Sequence, residues 1–207
     1  MASDLHKTDS DSRAEKRALR ASCSVRRGTL SAAERTSAGA AAAGHVLASR
    51  ECAESDRVAL YAALPDEIPT EELFSALAAR GKQLLLPRVE PEGLVFCAAE
   101  RWADLRPGTF GVLEPPEGSS RIDPGVGDLV LVPGQAFDPE GWRLGRGRGY
   151  YDRKFSPGAE GAPLLFGLAY FFQVVAAVPH DSRDRRMDAI VTERGIGRPD
   201  HASWRSP

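Results

Sequence analysis

The sequence predicts a layered α/β domain that takes its ligands at the carboxyl ends of its strands. Three observations carry that expectation. Apolar runs of strand length at 57–64, 83–86 and 128–132 alternate with helix-patterned stretches. A turn and a short helical pattern separate the first two runs, the order of a parallel crossover unit. The clearest run, Asp128-Leu129-Val130-Leu131-Val132, feeds directly into a segment rich in glycine and arginine.

The elements follow in order. Met1 to Asp11 is a polar, acidic stretch that reads as a flexible tail. From Ser12 to Arg27, Ala14, Ala18, Ala21 and Val25 recur at helical spacing and make one small apolar face. Arg13, Lys16, Arg17 and Arg20 fall on another face as a cationic stripe. Ser31-Ala32-Ala33-Glu34 has the form of a capping box and opens an alanine-rich helix to about Ala53. Arg57 to Leu64 reads as a buried strand stopped by Pro65, and Thr70 can cap a helix ending near Gly81. Gln83 to Leu86 is the next strand, and Gly93 to Cys97 another. Residues 106 to 127, rich in Gly and Pro, read as an ordered surface loop. Further strands are expected at Leu164 to Tyr170 and Ala189 to Thr192, with a loose polar tail from Arg194. One domain over residues 12–193 accounts for the chain.

Composition excludes several classes. With 27 Lys+Arg against 29 Asp+Glu the formal charge is −2, which argues against broad nucleic-acid binding. No apolar run approaches a membrane span, and the amino terminus does not resemble a secretory signal. Cys23, Cys52 and Cys97 are widely spaced and read as free thiols of a reducing compartment; the four histidines lack zinc spacing. A cytoplasmic enzyme fits this composition.

The segment Pro133 to Asp152 carries the most chemistry. Gly145, Gly147 and Gly149 alternate with Arg146 and Arg148, so bare backbone N–H groups and guanidinium groups sit together. Such a segment can curl into a concave nest around a polyanion. It is not a Walker A loop, since no Lys-Ser/Thr follows, and it misses the dinucleotide spacing of glycines. Asp152 follows where it could reach a cation held by the same anion, and Asp188 could add a second carboxylate for magnesium or simply face solvent. The Lys16–Arg20 stripe is a solvated face unless the fold brings it to the glycine loop. Asp66-Glu67 precedes a helix and could serve its dipole. Alternatively Glu67 faces the crevice and accepts paired hydrogen bonds from a guanidine-like heterocycle edge, such as a pterin.

In order along the chain, Lys16-Arg17-Ala18-Leu19-Arg20, Asp66-Glu67-Ile68-Pro69-Thr70, Leu86-Pro87-Arg88, Gly111-Val112-Leu113-Glu114-Pro115, Pro133 to Arg153, and Asp184 to Glu193 resemble the 5-formyltetrahydrofolate cyclo-ligase family. The most specific block is Arg143-Leu144-Gly145-Arg146-Gly147-Arg148-Gly149-Tyr150-Tyr151-Asp152. The resemblance implies an open, Rossmann-like, three-layer α/β fold with a mostly parallel central sheet. It also implies ATP- and magnesium-dependent conversion of 5-formyltetrahydrofolate to 5,10-methenyltetrahydrofolate, with release of ADP and phosphate. By the same resemblance, Lys16, Arg17, Ala18, Leu19 and Arg20 would contact ATP, as would Arg143, Leu144, Gly145, Arg146, Gly147, Arg148, Gly149, Tyr150 and Tyr151. Arg146, Gly147, Arg148, Gly149 and Tyr150 would also border the folate, Glu67 would hold its pterin, and Asp152 and Asp188 would bind magnesium. Arg148, Arg146 and Tyr151 are the catalytic candidates. Gln135 departs from the family pattern, standing where an apolar residue is common.

The expected partners are small molecules: a folate, with or without a polyglutamate tail, and no nucleic acid or membrane, bound by a monomer or weak homodimer. Competing readings are an ATP-dependent kinase or ligase for another small acid, and a non-catalytic nucleotide- or folate-binding regulator.

Overall fold

A computed structural model describes residues 9–199. The expected amino-terminal tail therefore lies outside the described residues up to position 8, and residues 200–207 lie outside as well. In chain order the elements are α1 (Asp9–Gly28), α2 (Ala32–Ala48), α3 (Arg50–Glu54), β1 (Arg57–Ala59), α4 (Glu71–Ala79), β2 (Gln83–Glu90) and β3 (Gly93–Ala98). Then follow β4 (Arg106–Pro107), β5 (Leu113–Glu114), β6 (Leu129–Pro133), β7 (Ala136–Phe137), β8 (Arg143–Leu144), α5 (Tyr150–Lys154), β9 (Leu164–Leu168), β10 (Ala189–Thr192) and β11 (Gly195–Gly197).

The central sheet runs in the order β11-β10-β9-β6-β1-β2-β3. Its inner pairings, β2 with β1, β1 with β6, β6 with β9 and β9 with β10, are parallel, and its two edge strands pair antiparallel. Alternate side chains enter two separate cores. Leu129 and Leu131 of β6 join Val58, Leu84 and Leu86 on the face covered by α2 and α4. Val130 and Val132 join Ala59, Leu85 and Ile190 on the opposite face, under Phe155, Tyr150 and Tyr151. Burial on both faces explains why these strands read as continuous apolar runs rather than alternating ones. The three-layer, mostly parallel α/β architecture is the one expected.

Several boundaries differ from the sequence reading, each for a visible reason. The alanine-rich helix does not run unbroken to Ala53. Ser49 is extended (φ −73°, ψ 146°), donating its hydroxyl to Val46 O and accepting from Cys52 N, so it ends α2 and caps α3. After Ala59 one more bond joins β1 to β2, Leu60 N to Leu85 O at 2.9 Å, and beyond it Thr70 takes over: its hydroxyl donates to Tyr61 O and accepts from Ala63 N. Thr70 stands at the amino-terminal cap of α4 as expected, yet its side chain makes no bond to that helix. β2 continues through Pro87, which is tolerated because β1 pairs with β2 only as far as Leu85. The stretch after Glu193 is not all loose: β11 pairs antiparallel with β10. Within the expected surface loop, β4 and β5 form a small hairpin with Phe110 at its tip.

Strand order reverses direction between β1 and β6. From β1 the chain builds outward through β2 to β3, and from β6 it builds the other way through β9 to β10. Loops leaving the carboxyl ends of two such strands diverge and open a crevice between them.

Candidate functional site

A cleft of about 1010 Å³ occupies that crevice. Tyr61 and Glu67 enter it from beyond β1, and Pro133, Gly134 and Gln135 from the end of β6. The segment after β8 supplies a third wall. Gly147 (φ +94°) and Gly149 (φ +65°) are left-handed, a conformation that side chains rarely adopt, and they fold the loop back into α5. These two positions are why the glycines are needed.

The fold brings the cationic stripe to this loop. Arg20 Nε donates to Gly145 O at 2.9 Å, and both Lys16 and Arg20 line the cleft. The rest of that stripe does not: Arg17 and Ala18 are exposed, and Leu19 packs on the small apolar group of Cys23, Ala136, Leu144 and Val178. Helical spacing explains the split, since only positions four apart share the cleft-facing side.

Glu67 is buried at the crevice floor. Its Oε2 accepts from Leu64 N at 3.0 Å, which fixes the carboxylate, and its Oε1 accepts from Arg146 Nη2 at 2.8 Å. Arg146 is itself half exposed, so this pairing is the movable side of the contact. Arg148 has no carboxylate partner among the described residues; its guanidinium lies over the Phe110 ring, 5.1 Å from the centroid. Gly145, Gly147, Gly149 and Tyr150 line the same cleft. Arg143 is buried beneath the loop, donating from Nη2 to both Asp152 oxygens, and it lies 5.6 Å from the Tyr151 ring centroid. Leu144 is buried in the small apolar group rather than presented by its side chain to solvent. Burial pushes the Tyr151 hydroxyl well above the ordinary tyrosine range, with Arg143 pulling it back. Tyr151 therefore keeps its proton near neutral pH and can donate a hydrogen bond but not act as a base.

The two carboxylates expected to share magnesium are not brought together. Asp152 lines the cleft beside Arg143, whose Nη1 reaches Pro133 O at the carboxyl end of β6. Asp188 precedes β10 and accepts from Leu165 N at the amino end of β9, with Arg185 3.5 Å away. A residue just before a parallel strand sits at the edge opposite the crevice, which is the physical reason for the separation. Among the described residues no cluster of three or more His, Cys, Asp or Glu side chains converges on a metal position. The acidic side chains that border the cleft from this region are Asp181 and Asp184, and Asp184 accepts from Lys16 Nζ at 3.4 Å.

The sequence reading missed Tyr61, Phe110 and Gln135 as wall residues, together with Arg27 behind them. Phe110 had a signal, an aromatic beside Gly111 in a loop. Arg27 had none, because its position near the end of an amphipathic helix looks like one more surface cation.

Residues 12–193 match the 5-formyltetrahydrofolate cyclo-ligase family. The 5-formyltetrahydrofolate cyclo-ligase of Mus musculus is 30% identical over 189 residues, covering 86% of this chain and 93% of the relative. That of Saccharomyces cerevisiae is 34% identical over 167 residues, covering 69% and 78%. Among solved structures, the Aquifex aeolicus 5,10-methenyltetrahydrofolate synthetase aligns with a TM-score of 0.78 at 35% identity, covering 90% of this chain and 94% of that one. The Mycoplasma pneumoniae 5,10-methenyltetrahydrofolate synthetase shares the fold, with a TM-score of 0.68 at 24% identity over 86% of this chain and 99% of that one. The match runs from within α1, through the crevice and the glycine loop, to the end of β10, and the chain belongs to the 5-formyltetrahydrofolate cyclo-ligase family.

Proposed function

We propose that this protein converts 5-formyltetrahydrofolate to 5,10-methenyltetrahydrofolate with ATP as cosubstrate, releasing ADP and phosphate. The observation that carries this reading is one crevice with two unlike walls. Lys16, Arg20, Arg146 and Arg148 bring positive charge from two separate elements around a loop whose glycines expose backbone N–H groups. Beside Arg146, which reaches across to it, stands a fixed, buried acceptor, Glu67. The first wall suits a triphosphate, and the second suits the guanidine-like edge of a pterin.

A formyl oxygen is a poor leaving group, so ring closure needs that oxygen activated. In the proposed sequence the oxygen takes the γ-phosphoryl group, ADP departs, and an imidate phosphate remains. Nitrogen 10 then attacks the activated carbon, loses its proton, and phosphate leaves with the former formyl oxygen. What this requires of the protein is alignment and charge neutralisation. Arg148, with no carboxylate partner among the described residues, would follow the transferred charge in this reading. Arg146 can pass from Glu67 to phosphate as the pterin takes its place. Tyr151, held neutral, can steady an oxygen as a donor. Magnesium accompanies the triphosphate in this reading, but Asp152 and Asp188 do not meet around one ion, so no step is assigned through the metal.

Cys23, Cys52 and Cys97 are all free and buried, which suits a reducing compartment such as the cytoplasm. No helix among the described residues is long and apolar enough to cross a membrane.

The direct test mixes the purified protein with 5-formyltetrahydrofolate, ATP and magnesium and follows the methenyl chromophore together with ADP. Equal amounts of the two products support the assignment. ADP release without the folate, or no chromophore from well-folded protein, defeats it.

A further inference from the structure

Gln135 leaves one buried hydrogen-bonding group unused, as does its partner Arg27, whose Nη1 also has no partner among the described residues. Its backbone is fully engaged: N–H donates to Leu144 O at 2.7 Å, and the carbonyl accepts from Gln173 Nε2 at 2.9 Å. Its side-chain Oε1 accepts from Arg27 Nη2 at 3.0 Å. A guanidinium only donates, so this contact fixes which end of the amide is oxygen. The remaining group, Nε2, is buried and has no partner among the described residues. Gln173, close by, shows the contrast: its Nε2 serves two backbone carbonyls and its Oε1 accepts from Tyr170 N.

The position of this unpaired donor gives it meaning. Gln135 is 4% exposed and lines the cleft together with Glu67 and Tyr61. Arg27, 1% exposed, connects the two halves of the floor, since it also donates to Asp66, the neighbour of Glu67. Arg146 in turn bridges Glu67 and Asp66. The floor therefore holds a carboxylate acceptor and a buried amide donor in one network. A 2-amino-4-oxo heterocycle presents the complementary order along one edge: two N–H donors, then a carbonyl. Burying a donor is costly unless an acceptor meets it, and an apolar side chain at this position would carry no such cost.

We propose that Gln135 Nε2 recognises the ring carbonyl of the substrate, next to the N–H edge taken by Glu67, and so sets a preference for 4-oxo over 4-amino heterocycles. This inference rests on the functional reading above. Gln135 is a specificity residue and takes no part in bond making. In a 4-amino ring the carbonyl is replaced by a donor, which would face the Gln135 donor without an acceptor between them.

Gln135→Glu keeps an acceptor for Arg27 and replaces the donor with a carboxylate oxygen. Calorimetry would measure the affinity of wild type and variant for 5-formyltetrahydrofolate and for its 4-amino counterpart, with the KM for ATP and the thermal midpoint as companions. The variant is expected to lose about ten- to a hundredfold in affinity for the 4-oxo ligand. It should lose little or none for the 4-amino ligand, and its KM for ATP should be unchanged. Should Gln135→Glu not fold, Gln135→Met removes the donor at similar length and is read by the same ratio. An oxo-to-amino ratio equal in wild type and variant overturns the inference while leaving the functional reading standing. Wild-type protein that binds neither ligand removes the functional reading, and this inference with it.

Discussion

Asp152 gives both carboxylate oxygens to one nitrogen of Arg143, at 2.8 and 2.9 Å. The guanidinium side chain is 5% exposed and its Nε has no partner among the described residues, so Asp152 is the charge that makes its burial tolerable. Removing one member of a buried ion pair costs on the order of 3–5 kcal/mol, because the other charge is left uncompensated. Asparagine keeps one acceptor oxygen, so Asp152→Asn is expected to lower stability by about 1–3 kcal/mol. Urea unfolding in chelator, without nucleotide, reads this directly as a lower midpoint. A residue acting only as a cation ligand would behave differently: in metal-free buffer, neutralising it would leave the midpoint unchanged or raise it. The same residue can carry both roles, and a magnesium titration of turnover in the variant measures the second one separately.

At the scale of elements, the Phe137 ring of β7 is what joins the glycine-loop side of the molecule to the sheet. It is fully buried between two glycines. A Cβ on Gly167, within β9, would come 2.3 Å from Phe137 Cε1, and one on Gly134 would come 2.4 Å from Cζ. Neither contact can be relieved by swinging the end of a flexible chain. Gly167→Ala is therefore expected to destabilise by about 1–3 kcal/mol through overpacking. Phe137→Leu, which opens the ring's space, should make the double variant less destabilised than the sum of the single changes. Additive thermal shifts would mean that ring and glycine do not compete for one volume. That close approach was not legible beforehand, since a glycine in a strand signals many things. What was legible depended on local pattern. The runs at 83–86, 128–132 and 189–192 announced strands because both their faces are covered. The glycine loop and Glu67 announced a site because their chemistry is compressed into a few residues. The break at Ser49 was hidden within a helix-like composition, and Asp188 was legible as a residue at a strand start, but not which edge of the sheet that start faces. Arg27 and Gln135 meet across 108 positions, a separation that no motif spans.

The whole molecule divides into a sheet core and a wall that leans on it. α4 is built into the main core through Leu73, Phe74 and Leu77. α1 is not: its attachments include a small apolar group around Cys23, Arg20 on Gly145 O, Lys16 on Asp184, Arg27 on Asp66 and Gln135, and Arg26 over the Phe172 ring. The contacts of Lys16, Arg20 and Arg27 belong to or border the crevice, so occupying the crevice should tighten α1 selectively. A ligand present at about 100 times its dissociation constant stabilises the folded state by about 2.7 kcal/mol, whichever part of the molecule it touches. Where that energy is felt depends on the architecture. Elements that open without global unfolding gain protection only if the ligand bridges them to the rest. With ATP and 5-formyltetrahydrofolate bound, amide exchange is expected to slow in residues 16–27 and 145–149, which form opposite sides of one cradle. Exchange in the centre of α4 should change only as far as global stability does, because no side chain of that helix reaches the cleft. Hydrogen–deuterium exchange read by mass spectrometry resolves the two helices as separate peptides. Equal slowing in α1 and α4 would show that α1 opens only with the entire fold, and that the crevice is a rigid feature of the sheet. Slowing confined to α1 and the glycine loop would show that the helix carrying Lys16 and Arg20 is completed as a wall by the anion it grips.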